Sequence, residues 1–164
     1  MKRGDVISYL EMCREEGVNL QRGMNYGLRN GYSIILMSLR RGAPYADRVE
    51  ENGKVLIYEG HDEPRTKGGP DPKTVDQPRF HAVGGKPTQN GYFCEAVERY
   101  RKNPLEIERV RVYEKIKAGI WVYSGGFLLE NNGMVNILTQ PNRLFRCQKK
   151  RFLERWFQWF LQAD

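Results

Sequence analysis

Two aromatic rings and two carboxylates lie around the connection between two strand-like segments. Tyr45 and Asp47 lie in the connection, and Tyr58 and Glu59 end the second segment. Flat rings can sandwich a nucleobase that has left a duplex, and a carboxylate can accept a hydrogen bond from the N4 amine of cytosine. The same residue types also occur in ordinary sheets and turns, and taken alone these residues favour that plainer interpretation.

Other chemistry finds less support in the sequence. Its two histidines are His61 and His81, and His61 with Asp62 is the pairing that a metal-dependent nuclease could use. No HExxH, GxSxG or GxxxxGK[ST] motif is present. We therefore identify no catalytic centre and expect neither a metal nor a cofactor. A nuclease that uses His61 and Asp62 is kept as an alternative.

The charge of the chain favours a polyanionic partner. Lysine and arginine outnumber aspartate and glutamate by 27 to 20, which gives a net charge of +7 over 164 residues. Three isolated cysteines without a CxxC pair are typical of a reducing cytoplasm. We predict no signal peptide and no membrane-spanning run, so we expect a cytoplasmic protein without a membrane partner.

The hydrophobic pattern predicts an α+β domain. A helix is predicted over 4–17, with Asp5 as N-cap and Gly17 as its end. Further predicted elements are a loop at 19–30, buried strands at 32–39 and 54–60, a long loop at 61–91, a helix at 92–103 with Asn90 as a candidate cap, a strand at 106–119, a hairpin around Asn131-Asn132-Gly133, a strand at 142–147 and an aromatic helix at 148–162. Short strands with glycine turns favour a mostly antiparallel barrel or strongly curved sheet, with helices at its edge.

Several short motifs, in consistent order over about residues 18–150, resemble the SRA domain (SET- and RING-associated, also called YDG). The family's Tyr-x-Asp loop and Tyr-Thr-Gly strand end correspond to Tyr45-Ala46-Asp47 and Tyr58-Glu59-Gly60. Its Val-Arg-Val strand and Tyr-Asp-Gly element correspond to Val110-Arg111-Val112 and Tyr123-Ser124-Gly125. Glu59 and Ser124 depart from the family pattern, and Arg48 stands where a second loop aspartate is common. The preferred cytosine modification is therefore open.

The resemblance implies a PUA-like curved β-barrel that clasps duplex DNA and flips a modified cytosine, either 5-methylcytosine or 5-hydroxymethylcytosine. Its implied base pocket consists of Tyr45, Asp47, Tyr58, Glu59 and Gly60. Two loops, near 21–30 and 61–77, are expected to reach the DNA. The residues expected to contact DNA are Arg22, Asn25, Arg29, Arg48, His61, Arg65, Lys67 and Lys73. An RNA-binding PUA-like module is the other alternative.

The resemblance is to the bacterial type of SRA domain that is found with HNH endonucleases. No HNH cluster is present in the sequence, so either the chain is an isolated reader module or a nuclease domain lies outside it. We divide the chain into an SRA-like domain at 1–150 and a C-terminal aromatic helix at 151–164, which could link to such a nuclease. An apolar stripe on this helix needs a cover, which could be the barrel, a second protomer or the downstream nuclease. The stripe comprises Phe152, Leu153, Trp156, Phe157 and Phe160.

Overall fold

The computed structural model describes residues 1–42, 47–59, 67–68, 78–131, 144–146, 148–149 and 157–163. The elements are β1 Val6–Ser8, α1 Tyr9–Glu16, β2 Met24–Asn25, β3 Ser33–Met37, β4 Arg48–Glu50, a 3-10 turn Glu51–Gly53, β5 Val55–Glu59, α2 Gln89–Lys102, β6 Glu108–Lys117, β7 Ile120–Asn131, β8 Leu144–Arg146, β9 Gln148–Lys149 and β10 Phe157–Ala163. The α+β class is therefore confirmed.

The strands form one mixed sheet. Its hydrogen-bonded order is β2-β3-β6-β7-β8-β5-β10-β9, with β1 beside β7, β4 beside β5, and a further pairing between β10 and β7. Three pairings are parallel, namely β3 with β6, β5 with β8 and β7 with β8. The other pairings between the described strands are antiparallel. The predominance of antiparallel pairs agrees with the expectation from the glycine-rich turns.

Alternate side chains of strand β3 enter two apolar cores, one on each face of the sheet. Ile35 and Met37 belong to the α2-side core, which includes most of β5 and the buried face of α2. Ile34 and Leu36 belong to the α1-side core, which includes residues of α1, β6 and β7. Successive side chains of a strand point to opposite faces. The continuous apolar run of this strand is explained by burial on both faces.

The caps of the two helices lie three and two residues away from the predicted ones. Ser8 caps α1, since its side chain accepts from the amide of Glu11 while the Glu11 carboxylate accepts from the amide of Ser8. Asp5 is wrong as the cap because Val6–Ser8 pairs with β7 before the helix begins. Thr88 caps α2, whereas the predicted cap Asn90 lies buried inside that helix. The predicted end of the first helix at Gly17 is confirmed, with a left-handed φ of 65°.

The C-terminal segment differs from its prediction. Phe157–Ala163 is a strand, not a helix, and it pairs with both β5 and β7. Strands β5 and β7 offer backbone partners that the local sequence does not reveal, and aromatic residues are common in strands. Phe152, Leu153 and Trp156 lie outside the described residues.

Two of the predicted connections also contain strands. The predicted loop at 19–30 contains β2, and the connection before Lys54 contains β4. The tight hairpin of the described chain joins β6 to β7 through Gly119, whose φ is 72°. Asn132 and Gly133 of the predicted hairpin lie outside the described residues. Neither described helix has the length and apolar character of a membrane-spanning segment.

Candidate nucleic-acid interface

The structure brings Asp47 and Tyr58 to the same end of the β4–β5 ladder. Arg48 pairs with Ile57, so the next position of the antiparallel ladder sets Asp47 across from Tyr58. On the other side of β5, Trp159 pairs with Tyr58 through the backbone. The two strands that flank the connection of Asp47, β3 and β5, do not pair with each other among the described residues, because β5 pairs with β4, β8 and β10 while β3 pairs with β2 and β6.

Asp47 ties the start of β4 to the end of β3. Its Oδ2 atom accepts a hydrogen bond from the backbone amide of Ser38 at 3.0 Å, in a half-buried position. This bond holds together the two ends of the connection that carries Tyr45, although Tyr45 itself lies outside the described residues. A carboxylate has about four acceptor sites, so the bond to Ser38 does not exhaust its capacity.

Tyr58 lies inside the α2-side core. It is 1% exposed and belongs to the same cluster as Met37 and Val112. Its position in the sheet is the one predicted, but its ring is buried in this structure. Of the other predicted pocket residues, Glu59 is the last residue of β5, and Gly60 lies outside the described residues.

The first predicted contact loop is fixed at several points. Asn25 donates from Nδ2 to the carbonyl of Arg22 at 2.9 Å, and Tyr26 donates its amide to Oε1 of Gln89 at 2.8 Å. The Tyr26 ring also stacks on Tyr92, with centroids 5.5 Å apart and planes 6° apart. Arg22 and Arg29 are exposed on this anchored segment, so two of the predicted DNA contacts are accessible.

The remaining predicted DNA contacts differ in their exposure and in their ion pairs. Arg48 lies in β4 and forms an ion pair with Glu50 at 2.9 Å, with each side chain 40% exposed. A pair this exposed is weak, so it can exchange for a phosphate contact at small cost. Lys67 is exposed. The predicted contacts that lie outside the described residues are His61, Arg65 and Lys73.

The buried carboxylate of Glu16, on the α1 side, was not predicted from the sequence. The side chain of Glu16 is fully buried and accepts from the Tyr32 hydroxyl at 2.5 Å, from Nη1 of Arg111 at 2.9 Å and from the Tyr113 hydroxyl. Burial, followed by the contact with Glu16, raises the pKa of Tyr32 and of Tyr113, so both hydroxyls stay donors. We name Glu16, Tyr32, Arg111 and Tyr113 the Glu16 cluster.

Two motifs that carry the resemblance meet at this cluster. The Arg111 guanidinium lies 4.6 Å from the centroid of the Tyr32 ring and 5.6 Å from that of Tyr123. Arg111 belongs to the Val-Arg-Val strand, and Tyr123 begins the Tyr-Ser-Gly element. Their packing beside a cavity of about 340 Å³ shows that these motif positions join β6 to β7 and α1. Nothing short of the three-dimensional structure pairs them with Glu16.

A half-buried carboxylate, Glu108, lies at the start of β6. Glu108 and the hydroxyl of Ser33 form a hydrogen bond of 2.6 Å, and the same Ser33 oxygen accepts the amide of Gly27 at 2.9 Å. Burial raises the pKa of Glu108, while the hydrogen bond from Ser33 and the charge of Arg99 oppose that shift. This network fastens the first contact loop to the sheet.

Metal chemistry gains no support from the described residues, where no group of three or more His, Cys, Asp or Glu side chains could hold an ion. His81 is exposed. His61 and Asp62, the residues of the nuclease alternative, lie outside the described residues, so the structure leaves that alternative untested.

Comparison with solved structures identifies the architecture. The SRA domain of SUVH5, solved with hemi-methylated CG DNA, matches with a TM-score of 0.54 and 21% identity, over 100% of this chain and 89% of that one. The fold is SRA-like. The DNA modification-dependent restriction endonuclease AspBHI matches with a TM-score of 0.54 and 12% identity over 93% of this chain.

A third SRA-like match is ScoMcrA, whose sulfur-binding and SRA domains were solved with phosphorothioated DNA. It has a TM-score of 0.50 and 16% identity over 99% of this chain. The chain spans 36% of the AspBHI chain and 39% of the ScoMcrA chain. No family model matches the sequence, and neither does any curated protein.

Proposed function

We propose that this chain binds duplex DNA that contains 5-methylcytosine or 5-hydroxymethylcytosine, and that it does so by flipping the modified base. In this role it is the reader module of a modification-dependent restriction system. The observation that carries the proposal is Asp47, which lies across from Tyr58 and clamps the connection of Tyr45 in an SRA-like fold. The matches to SUVH5, solved with hemi-methylated CG DNA, and to AspBHI, a DNA modification-dependent restriction endonuclease, support it.

The proposed pocket assigns a role to each of its residues. Tyr45 and Tyr58 sandwich the flipped cytosine, and Asp47 accepts from its N4 amine, while Glu59 and Gly60 line the site. Base stacking contributes about 1–3 kcal/mol per base, against a flipping cost of a few kcal/mol. Because Tyr58 is buried in the unbound chain, stacking on its ring also requires local opening when DNA binds.

The wider setting belongs to the same proposal. The sheet closes into a PUA-like curved barrel, and the loops at 21–30 and 61–77 contact the DNA. Residues 151–164 lead towards a downstream HNH nuclease domain or take part in a homodimer, and the bacterial cytoplasm is the proposed location. An excess of seven positive charges supports the DNA partner.

The test is a binding panel of one duplex sequence with a single variable base. The base is cytosine, 5-methylcytosine, 5-hydroxymethylcytosine or a glucosylated cytosine, and each affinity is measured at the same salt concentration. We expect at least one modified duplex to bind more tightly than the plain duplex. Equal affinities for all four would contradict the proposal.

Two further arms separate the alternatives. Incubation of modified plasmid with Mg²⁺ or Mn²⁺ is expected to leave the DNA intact, whereas site-dependent cutting would show that the chain is itself a nuclease. Structured RNA is expected to compete poorly with methylated duplex DNA. Stronger competition by RNA would favour the RNA-binding alternative.

A further inference from the structure

A basic groove lies on the α1 side of the sheet. It has a volume of about 600 Å³ and runs between α1, the residues before β2 and the turn from β6 to β7. Its lining includes Tyr9, Leu20, Arg22, Leu36, Lys115 and Trp121. We call it the Lys115 groove.

The groove combines an apolar floor with two cations. Leu20 and Trp121 are 1% and 8% exposed, and the Lys115 ammonium lies 5.5 Å from the centroid of the Trp121 ring. Within the described part of the chain, neither Lys115 nor Arg22 forms an ion pair. Cations without a carboxylate partner can bind an anion without first giving up an internal pair.

The groove lies next to Ser38, the residue that Asp47 binds. Met37 of β3 pairs with Glu114 of β6 in parallel, so the following residues, Ser38 and Lys115, are neighbours at the same edge of the sheet. Ser38 is the residue whose amide holds Asp47. Since adjacent strands lie about 5 Å apart, the groove begins one strand away from the connection that carries Tyr45.

The surroundings extend the positive surface. Arg40 donates from Nε to the Ser38 hydroxyl at 3.3 Å and is exposed, as are Arg41 and Lys117. One DNA strand advances about 3.4 Å per nucleotide. A phosphate in the groove would therefore belong to a nucleotide within a few positions of a base that is held at Asp47.

We infer that the Lys115 groove binds a phosphate of the DNA backbone next to the flipped cytosine, with Lys115 and Arg22 as its cationic ligands. The inference rests on the proposed function, since it assumes that DNA is the partner. Phosphate contacts position a protein on DNA and carry no sequence information. The groove therefore adds affinity for modified and plain duplexes alike, and leaves the preference between them to the base pocket.

The first test compares Lys115→Gln with Lys102→Gln, which removes the same charge from an exposed position on α2 at the other face of the sheet. Affinity is measured over a series of salt concentrations. Lys115→Gln is expected to reduce the slope of log affinity against log salt by about 0.9, the value for one lost phosphate contact. The control and Lys115→Arg are expected to keep the parent slope.

Arg22→Gln is a second variant, on a different element, and is expected to give the same loss of slope as Lys115→Gln. Circular dichroism of each variant confirms that it is folded. The preference for the modified duplex should stay at the parent value in both. If folded Lys115→Gln and Arg22→Gln keep the slope of Lys102→Gln, the groove does not bind phosphate.

A scan of uncharged methylphosphonate linkages then locates the contact. At one linkage near the modified base, neutralisation should weaken the parent but not Lys115→Gln, which is the coupling expected of two groups in contact. Equal weakening of both proteins at every linkage would overturn the inference. The proposed function fails in a different way, through a parent protein that does not distinguish modified from plain duplexes.

Discussion

The Glu16 cluster and the Lys115 groove lie on the same face of the sheet and use similar residues in opposite ways. In the cluster, Arg111 stacks on Tyr32 and forms an ion pair with a fully buried carboxylate. In the groove, Lys115 lies over Trp121, and the described residues give it no carboxylate. Pairing with a carboxylate, more than residue type, separates a cation that stabilises the fold from one that can bind a phosphate.

The difference follows from the cost of burying charge. Glu16 is the last residue of α1, where the helix dipole disfavours a negative charge. Three donors offset that cost and the loss of hydration, so each member of the cluster depends on the others. In the groove, Arg22 is exposed and Lys115 is half-buried, and neither forms an ion pair with a described residue, so their substitution should have little effect on folding.

The largest expected effect comes from breaking the cluster. Glu16→Ala leaves Arg111 and two tyrosine hydroxyls without their acceptor, and it should lower the free energy of unfolding by roughly 3–5 kcal/mol, the usual cost of removing one partner of a buried pair. Urea unfolding measures the change. Glu98→Gln is the matched control, because the Glu98–Arg79 pair is bidentate but its side chains are 43% and 36% exposed.

The control should cost about 1 kcal/mol or less. Equal destabilisation by the two substitutions would remove the distinction between buried and exposed pairs. A small effect of Glu16→Ala would show that the cluster is not the anchor of α1.

A smaller effect is expected at Gly91, on the opposite side of the sheet. A Cβ atom there would lie 2.0 Å from the carbonyl oxygen of Arg79, so Gly91→Ala should destabilise the protein by roughly 1–3 kcal/mol. In an unhindered helix the same change usually stabilises by about 0.5–1 kcal/mol, so the sign alone decides. Thermal unfolding is the measurement. Lys102→Ala, exposed on the same helix, should stay within about 0.5 kcal/mol of the parent.

The smallest expected effect is a pH dependence from Glu108. Burial raises the pKa of Glu108 in the folded state above its unfolded value, so the folded chain holds this proton more strongly. The stability it contributes is fully present below about pH 4.3, the ordinary pKa of glutamate, and is lost as pH rises through the folded pKa. Glu108→Gln should therefore gain on the parent as pH rises, in urea unfolding at matched pH values. Parallel pH profiles would show that Glu108 does not titrate in this way.

Hydrophobic patterns and turn residues within a segment predicted several strands and the end of the first helix. The apolar runs of β3 and β5 and the alternation of β6 mark strands, and Gly17 ends α1 because glycine accepts a left-handed φ. Strand β10 could not be predicted in this way. It depends on the edges of β5 and β7, which are brought to it by the rest of the chain.

The sequence could predict only part of the candidate site. The resemblance grouped Asp47 with Tyr58, and the antiparallel pairing of β4 with β5 sets these two residues across from each other. The sequence could not predict that the Asp47 carboxylate binds the amide of Ser38, nor that Tyr58 would be buried. Arg22 and Lys115 lie far apart in the sequence, and their shared groove follows from the pairing of β2 with β3 and of β3 with β6.

The most direct test of the account is the preference ratio of the Asp47→Ala and Tyr45→Ala proteins, taken as the affinity for the best modified duplex over that for plain duplex. Removal of either side chain should cost roughly 1–3 kcal/mol in binding the modified duplex. The ratio should fall to about one while weak, salt-sensitive binding remains.

Asp47→Asn controls for the fold, because its amide oxygen can still accept from Ser38. In this variant the amide oxygen keeps the bond to Ser38, and the NH₂ group then faces the N4 amine of the cytosine. The free energy of unfolding should therefore stay at the parent value, while the preference for modified DNA is lost. Folded Asp47→Ala and Tyr45→Ala proteins that discriminate modified from plain cytosine as well as the parent would contradict the account and place the base pocket elsewhere.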